Sequence, residues 1–178
     1  MHTISCCGNA IAAAMDRRRF IALAGIGGAA MLSGLAPRMA AAAGQADALL
    51  LSCIDYRLTD KVANYMDSRG LKENYDQVIL AGAALGAVTS KYPDWNRTFD
   101  QHLELAIKLH DIHRVIALDH RNCGAYRLVF GKDLTGDAEK AQHATELHRL
   151  ARRIHAKHPK LDVETLLMSL DGSVEKID

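Results

Sequence analysis

Residues 48 to 54 read Ala-Leu-Leu-Leu-Ser-Cys-Ile, a short and uninterrupted apolar run. Neither face of such a strand can look at water, which is the pattern of a strand inside a parallel sheet covered on both sides. Gln77-Val78-Ile79-Leu80 and Arg114-Val115-Ile116-Ala117-Leu118 repeat it, and Val163 to Ser169 supply a fourth strand. Asp171-Gly172 then turns the chain into an antiparallel edge over Val174 to Ile177. Helical patterns fall between these runs. Thr59 or Asp60 caps a helix to about Ser68 that Gly70 stops, and Phe99, Leu103, Ala106 and Ile107 share one face from Thr98 to His110. Leu147, Leu150, Ala151 and Ile154 do the same for a helix ending before Pro159. The alternation defines an α/β fold with a mostly parallel β-sheet, four parallel strands plus a C-terminal antiparallel edge strand, flanked by helices.

Chemistry gathers at the carboxyl ends of two of the strands, the edge where sites lie in open α/β sheets. The first delivers Cys53 and Asp55, with Arg57 two residues further; the third delivers Asp119, His120 and Cys123. Two thiolates and an imidazole form a soft ligand set that favours zinc and leaves one coordination position over, as a catalytic site requires. Asp55 and Arg57 can turn back toward the metal and pair, a task that suits the planar fork of arginine. The Gly/Ala-rich turn Ala81 to Gly86 lets backbone approach something closely.

Cys53-x-Asp55-x-Arg57 followed by His120-x-x-Cys123-Gly124 resembles the paired signature of the β-class carbonic anhydrases, in particular their short, single-domain members. The resemblance spans residues 47 to 178. It implies zinc held by Cys53, His120 and Cys123, and reversible hydration of CO2 to bicarbonate by a zinc-bound hydroxide. Asp55 would accept the hydrogen bond of that hydroxide while Arg57 holds Asp55 off the metal; in the family, a loosened pair lets the aspartate take the fourth position and shut the site. The Gly124 amide would approach the substrate, and a homodimer or higher homo-oligomer is expected. A hydrolase of COS or CS2 on the same scaffold and a non-catalytic zinc-binding homologue are the alternatives.

The first 43 residues are of another kind. Asp16-Arg17-Arg18-Arg19-Phe20 precedes a Gly/Ala-rich apolar run to Leu35, and Ala41-Ala42-Ala43 offers small-residue cleavage sites. This reads as a twin-arginine export signal, with the zinc domain over residues 44–178, the export machinery as a partner and a periplasmic or otherwise exported location. Four of the 22 basic residues and one of the 21 acidic residues lie in the signal, leaving 18 basic against 20 acidic. That balance gives no footprint for nucleic acid. Cys6 and Cys7 leave with the signal, so the domain keeps Cys53 and Cys123 alone. In an exported protein two cysteines are also the ordinary makings of a disulfide, and a disulfide-held binding module is the reading that competes with zinc.

The remaining motifs carry bland expectations. His102, His110, His113, His143, His148, His155 and His158 are expected on polar helix faces or element ends, solvated or capping. The lysines and arginines from Lys140 to Lys160 are expected to form a solvated helix face. Leu80-Ala81-Gly82-Ala83 stands where β-class members usually carry an Arg-Asn-Ala-Gly turn, and Tyr56 where a small residue is common. These substitutions predict a bulkier, more apolar pocket.

Overall fold

All five residues of strand β1 (Ala48–Ser52) are buried, and the strand divides its side chains between two cores. Leu49 and Leu51 point into one apolar cluster, Ala48 and Leu50 into another, as the two-residue period of a strand requires. The structure is a computed structural model, described here over residues 44–178; the export signal read over residues 1–43 lies outside those residues.

After β1 comes a 3-10 turn, Tyr56–Leu58, which runs directly into α1 (Thr59–Ser68). The expected cap at Thr59 or Asp60 is not used. Asp55 caps the preceding turn instead, its carboxylate accepting from the Arg57 amide. Gly70, at φ 73°, ends α1 as expected. The chain continues through β2 (Tyr75–Ile79), a five-residue helix α2 (Ala84–Val88), α3 (Pro93–His110) and β3 (Arg114–His120). It closes with α4 (Gly124–Phe130), α5 (Gly136–Lys157), β4 (Asp162–Met168) and β5 (Val174–Lys176). Helix α3 starts five residues before the expected Thr98, because Pro93 opens its first turn where a missing N–H costs nothing.

The sheet order is β2-β1-β3-β4-β5. The first four strands are parallel and β5 is antiparallel. On one face α2, α3 and α5 cover Leu49, Leu51, Val115, Ala117 and Leu167 through Phe99, Leu103, Leu147, Leu150 and Ile154. On the other, Val62 and Met66 of α1 cover Leu50, Ile116, Leu118, Leu166 and Met168. Burying one such Leu or Phe contributes about 1.5–3 kcal/mol, so the two-sided cover of β1 and β3 is the main cohesive force. From β1 the chain steps outward to β2 and then returns to the other side of β1 as β3. That reversal creates a crevice beyond the carboxyl ends of β1 and β3, where ligands bind in sheets of this kind. Among the described residues, no helix is long and apolar enough to cross a membrane.

Candidate metal centre

Cys53 follows the last residue of β1, His120 is the last residue of β3, and Cys123 precedes the first residue of α4. Their ligand atoms lie within 4.8 Å of one another. Both cysteines are free, with Sγ atoms 3.9 Å apart; a disulfide needs about 2.0 Å. Two thiolates on one tetrahedral zinc, at a metal–sulfur length of about 2.3 Å, lie about 3.8 Å apart, so the separation suits a shared metal. His120 is 2% exposed. Its Nδ1 donates to the Arg121 carbonyl at 2.9 Å, while Nε2 is buried with no hydrogen-bond partner. The outer bond fixes the tautomer that presents a lone pair inward, the usual arrangement for a metal-binding imidazole.

The electrostatics agree. The hydrogen bond with Cys123 is the largest influence on the Cys53 thiol and, with His120 and the Gly82 amide, pushes it well below the ordinary thiol range against burial. Cys123 is pushed up, by its hydrogen bond with Cys53, by burial and by the charge of Cys53. Burial disfavours a charged His120, but the neighbouring Cys53 sulfur prevails and raises it. The opposed shifts follow from one thiol stabilising the other as a thiolate, and a divalent cation held between them would favour both as thiolates by displacing protons.

Asp55 stands beside this cluster, its Oδ2 3.8 Å from His120 Nε2. It is turned toward Arg57, accepting from the Arg57 amide at 3.1 Å, from Nε at 2.9 Å and from Nη2 at 2.6 Å. That guanidinium fork holds the Asp55 carboxyl down to about 2. The Gly82 amide donates to Cys53 Sγ at 3.3 Å, so the Gly/Ala-rich turn makes its close approach to a sulfur. Gly124 is exposed at the start of α4, with open space where a Cβ would stand. Tyr56 is 86% exposed and Ile54 64% exposed, so within this chain neither side chain packs onto the cluster.

His143 departs from its expected solvated role. It is 1% exposed and its Nδ1 donates to Asp119 Oδ2 at 2.8 Å. Asp119 also accepts from the Tyr126 hydroxyl and from the Ala84 amide at 2.9 Å, so one buried carboxylate ties β3 to α2, α4 and α5. The signal was present in the sequence, since His143 lies 4, 7 and 11 residues before Leu147, Leu150 and Ile154, on the same stripe. A cavity of about 270 Å³ opens beside Cys123, lined by Asn122, Tyr126, Glu139 and His143 among others. The solvated basic face is likewise incomplete: Arg153 reaches across to Asp100 and to the Ala87 carbonyl, both at 2.6 Å.

A mostly parallel α/β sheet with a Cys-His-Cys cluster at its switch point, able to hold a metal ion, is the frame of a metal-binding α/β domain. The chain belongs to the family described as "Putative carbonic anhydrase", which matches residues 43–178. An uncharacterized protein of Rickettsia conorii is 42% identical over 135 residues, covering 75% of this chain and 73% of that protein. Among solved structures, β-carbonic anhydrase isoform I of Trichomonas vaginalis is similar at TM-score 0.51 and 19% identity, over 76% of this chain and 84% of that one. The Coccomyxa β-carbonic anhydrase in complex with acetazolamide is similar at TM-score 0.52 and 11% identity, over 78% and 74%. At such identities the likeness is one of fold.

Proposed function

We propose that this protein is a zinc enzyme that interconverts CO2 and bicarbonate. The observation that carries the reading is the pairing of two thiols 3.9 Å apart with an unpartnered, buried imidazole nitrogen, beside a carboxylate that Arg57 keeps turned away. Cys53, His120 and Cys123 would hold the metal. Bound there, zinc supplies a Lewis acid that brings a water molecule toward a pKa of about 7. Asp55 accepts a hydrogen bond from the attacking water and aims its lone pair at the electrophilic carbon. Arg57 fixes that carboxylate in its ionised, acceptor-only form. Gly124, which follows Cys123 directly, offers its amide to a substrate oxygen.

A homo-oligomer belongs to the same reading. Strand β2 is an open edge of the sheet, and beside it on α3 Leu105 and Leu109 stand 50% and 53% exposed, apolar surface that a second copy would cover. Export through a twin-arginine signal is proposed on the sequence of residues 1–43, and a reporter fused to that segment would test it.

The catalytic reading is tested by zinc content and stopped-flow CO2 hydration. About one zinc per chain and a rate that rises from about pH 6.5 to 9 are expected. Zinc-loaded protein with no rate above buffer at any pH overturns catalysis, and COS hydrolysis with little CO2 turnover reassigns the substrate. Asp55→Ala should keep zinc and lose about a hundredfold in rate.

A further inference from the structure

Arginine has five N–H donors on its guanidinium, and in Arg57 all but one are committed. Nε and one N–H of Nη2 serve Asp55, at 2.9 and 2.6 Å. The others go to one residue: Nη2 donates to the Asn122 carbonyl and Nη1 to Asn122 Oδ1, each at 3.0 Å. Asn122 lies between His120 and Cys123 in the chain, yet its polar groups turn outward to the arginine. Its φ of 58° is in the left-handed region, which Asn and Asp tolerate far better than other side-chain-bearing residues. That backbone is itself held. The Asn122 amide donates to Glu139 Oε1, and Glu139 Oε2 receives Arg121 Nη1 at 3.4 Å. Glu139 lies in the first turn of α5, its side chain only 12% exposed.

Resting on the metal-centre reading above, we propose that Asn122 and Glu139 are positioning residues that seat Arg57 on Asp55 and thereby keep the Asp55 carboxylate from becoming a fourth metal ligand. Neither is one of the cluster's ligands. Their influence passes through a chain of hydrogen bonds from α5 to Asn122, to Arg57, to Asp55. Without it, the exposed side of Arg57 has only water to hold it, and a guanidinium free to leave releases a carboxylate two residues from a thiolate ligand.

The test uses the full chain loaded with Co2+, titrated with azide and followed by visible absorption, with the wild type giving the reference response. Asn122→Ala removes Oδ1 and disfavours the left-handed backbone, so its azide affinity should fall about tenfold as Asp55 competes for the open position. Asn122→Gly keeps the backbone and loses only Oδ1, so it should fall between; it carries the test if Asn122→Ala fails to fold. Asn122→Asp keeps both acceptor and backbone preference and should stay close to wild type. Adding Asp55→Ala to Asn122→Ala should restore the affinity of Asp55→Ala alone, a rescue that a merely structural defect would not give. Glu139→Ala should follow Asn122→Ala in direction. Wild-type azide affinity in Asn122→Ala, Asn122→Gly and Glu139→Ala, or no rescue by Asp55→Ala, overturns this inference and leaves the metal centre standing. A wild type that takes up no cobalt overturns the metal centre, and this inference with it.

Discussion

Nδ1 of His143 donates to Oδ2 of Asp119 at 2.8 Å, and both side chains are 1% exposed. Asp119 is the common acceptor for His143, Tyr126 and the Ala84 amide. Burial and the Asp119 charge together push the Tyr126 phenol well above its ordinary value, so it stays a donor at any working pH. Asp119→Ala would strand three buried donors at once and should destabilise the fold by about 3–5 kcal/mol. Asp119→Asn keeps acceptor oxygen but also brings two donors of its own, and should cost about half as much. Urea denaturation followed by circular dichroism reads both; an Asp119→Ala midpoint equal to wild type would remove the network from the stability of the domain.

Metal removal should be visible in stability as well as in activity. A ligand that binds only the folded state adds about 2.7 kcal/mol when present at a hundred times its dissociation constant, or about 5–10 °C in Tm for a domain of this size. EDTA should therefore lower the Tm of the wild type by about that amount. Cys123→Ala deletes a sulfur of the cluster, so its zinc content should collapse and its Tm should no longer respond to EDTA. A chelator-sensitive Tm in Cys123→Ala would take that residue out of the ligand set.

Far from the site, Glu164 bridges two strands and a helix end. It receives Arg69 at 2.8 Å and Arg114 at 3.1 Å. The hydrogen bond from Arg69 is the largest influence on its carboxyl and, with Arg114, lowers it below the ordinary value against burial. A carboxyl whose folded pKa lies below its unfolded one binds fewer protons in the native state, so its contribution is full above the unfolded value near 4.3 and fades as pH falls through the folded one. Glu164→Gln should cost about 1 kcal/mol at pH 7, and the difference from wild type should shrink below about pH 4. Equal gaps at pH 7 and pH 3 in urea titrations would show that the charge is not what Glu164 contributes.

Much of this was legible in the chain, and the exceptions share a cause. Strands β1 and β3 declare themselves because runs such as Leu49-Leu50-Leu51 admit only a doubly covered position. The three residues of the Cys-His-Cys cluster follow, since each lies at or just past the end of such a run. Helix α4 did not declare itself: Gly-Ala-Tyr-Arg-Leu-Val-Phe is seven residues long and lacks a side-chain cap, and its apolar stripe of Tyr126, Val129 and Phe130 spans little more than one turn, too short to be a helix without tertiary contact. Asn122 and Glu139, 17 residues apart, had no local pattern to join them. His143 failed for another reason. A histidine on an apolar stripe is read as polar until its partner is known, and Asp119 lies on a different element.

Three glycines, Gly82 in the turn after β2, Gly86 in α2 and Gly124 at the start of α4, give the last prediction, because they differ in what a methyl group would meet. At Gly82 the backbone is left-handed, φ 78°, and a Cβ would sit 3.1 Å from Ala125 Cβ. The same residue donates its amide to Cys53 Sγ at 3.3 Å. Gly82→Ala should therefore cost about 1–2 kcal/mol and also weaken metal binding, as the amide shifts off the sulfur. At Gly86 the backbone is ordinary, but a Cβ would lie 2.7 Å from the Ala81 carbonyl oxygen and 3.0 Å from Leu80 Cβ. Backbone cannot yield as a side chain can, so Gly86→Ala should cost about 2–3 kcal/mol. At Gly124 nothing stands within 4 Å, and Gly124→Ala should leave stability within about 0.5 kcal/mol. Zinc affinity by competition with a chromophoric chelator, alongside urea midpoints, separates the three. Gly124→Ala that folds and holds zinc like wild type but loses CO2 turnover would mark the open space above that amide as the place the substrate enters; full activity in that variant would remove Gly124 from the substrate's path.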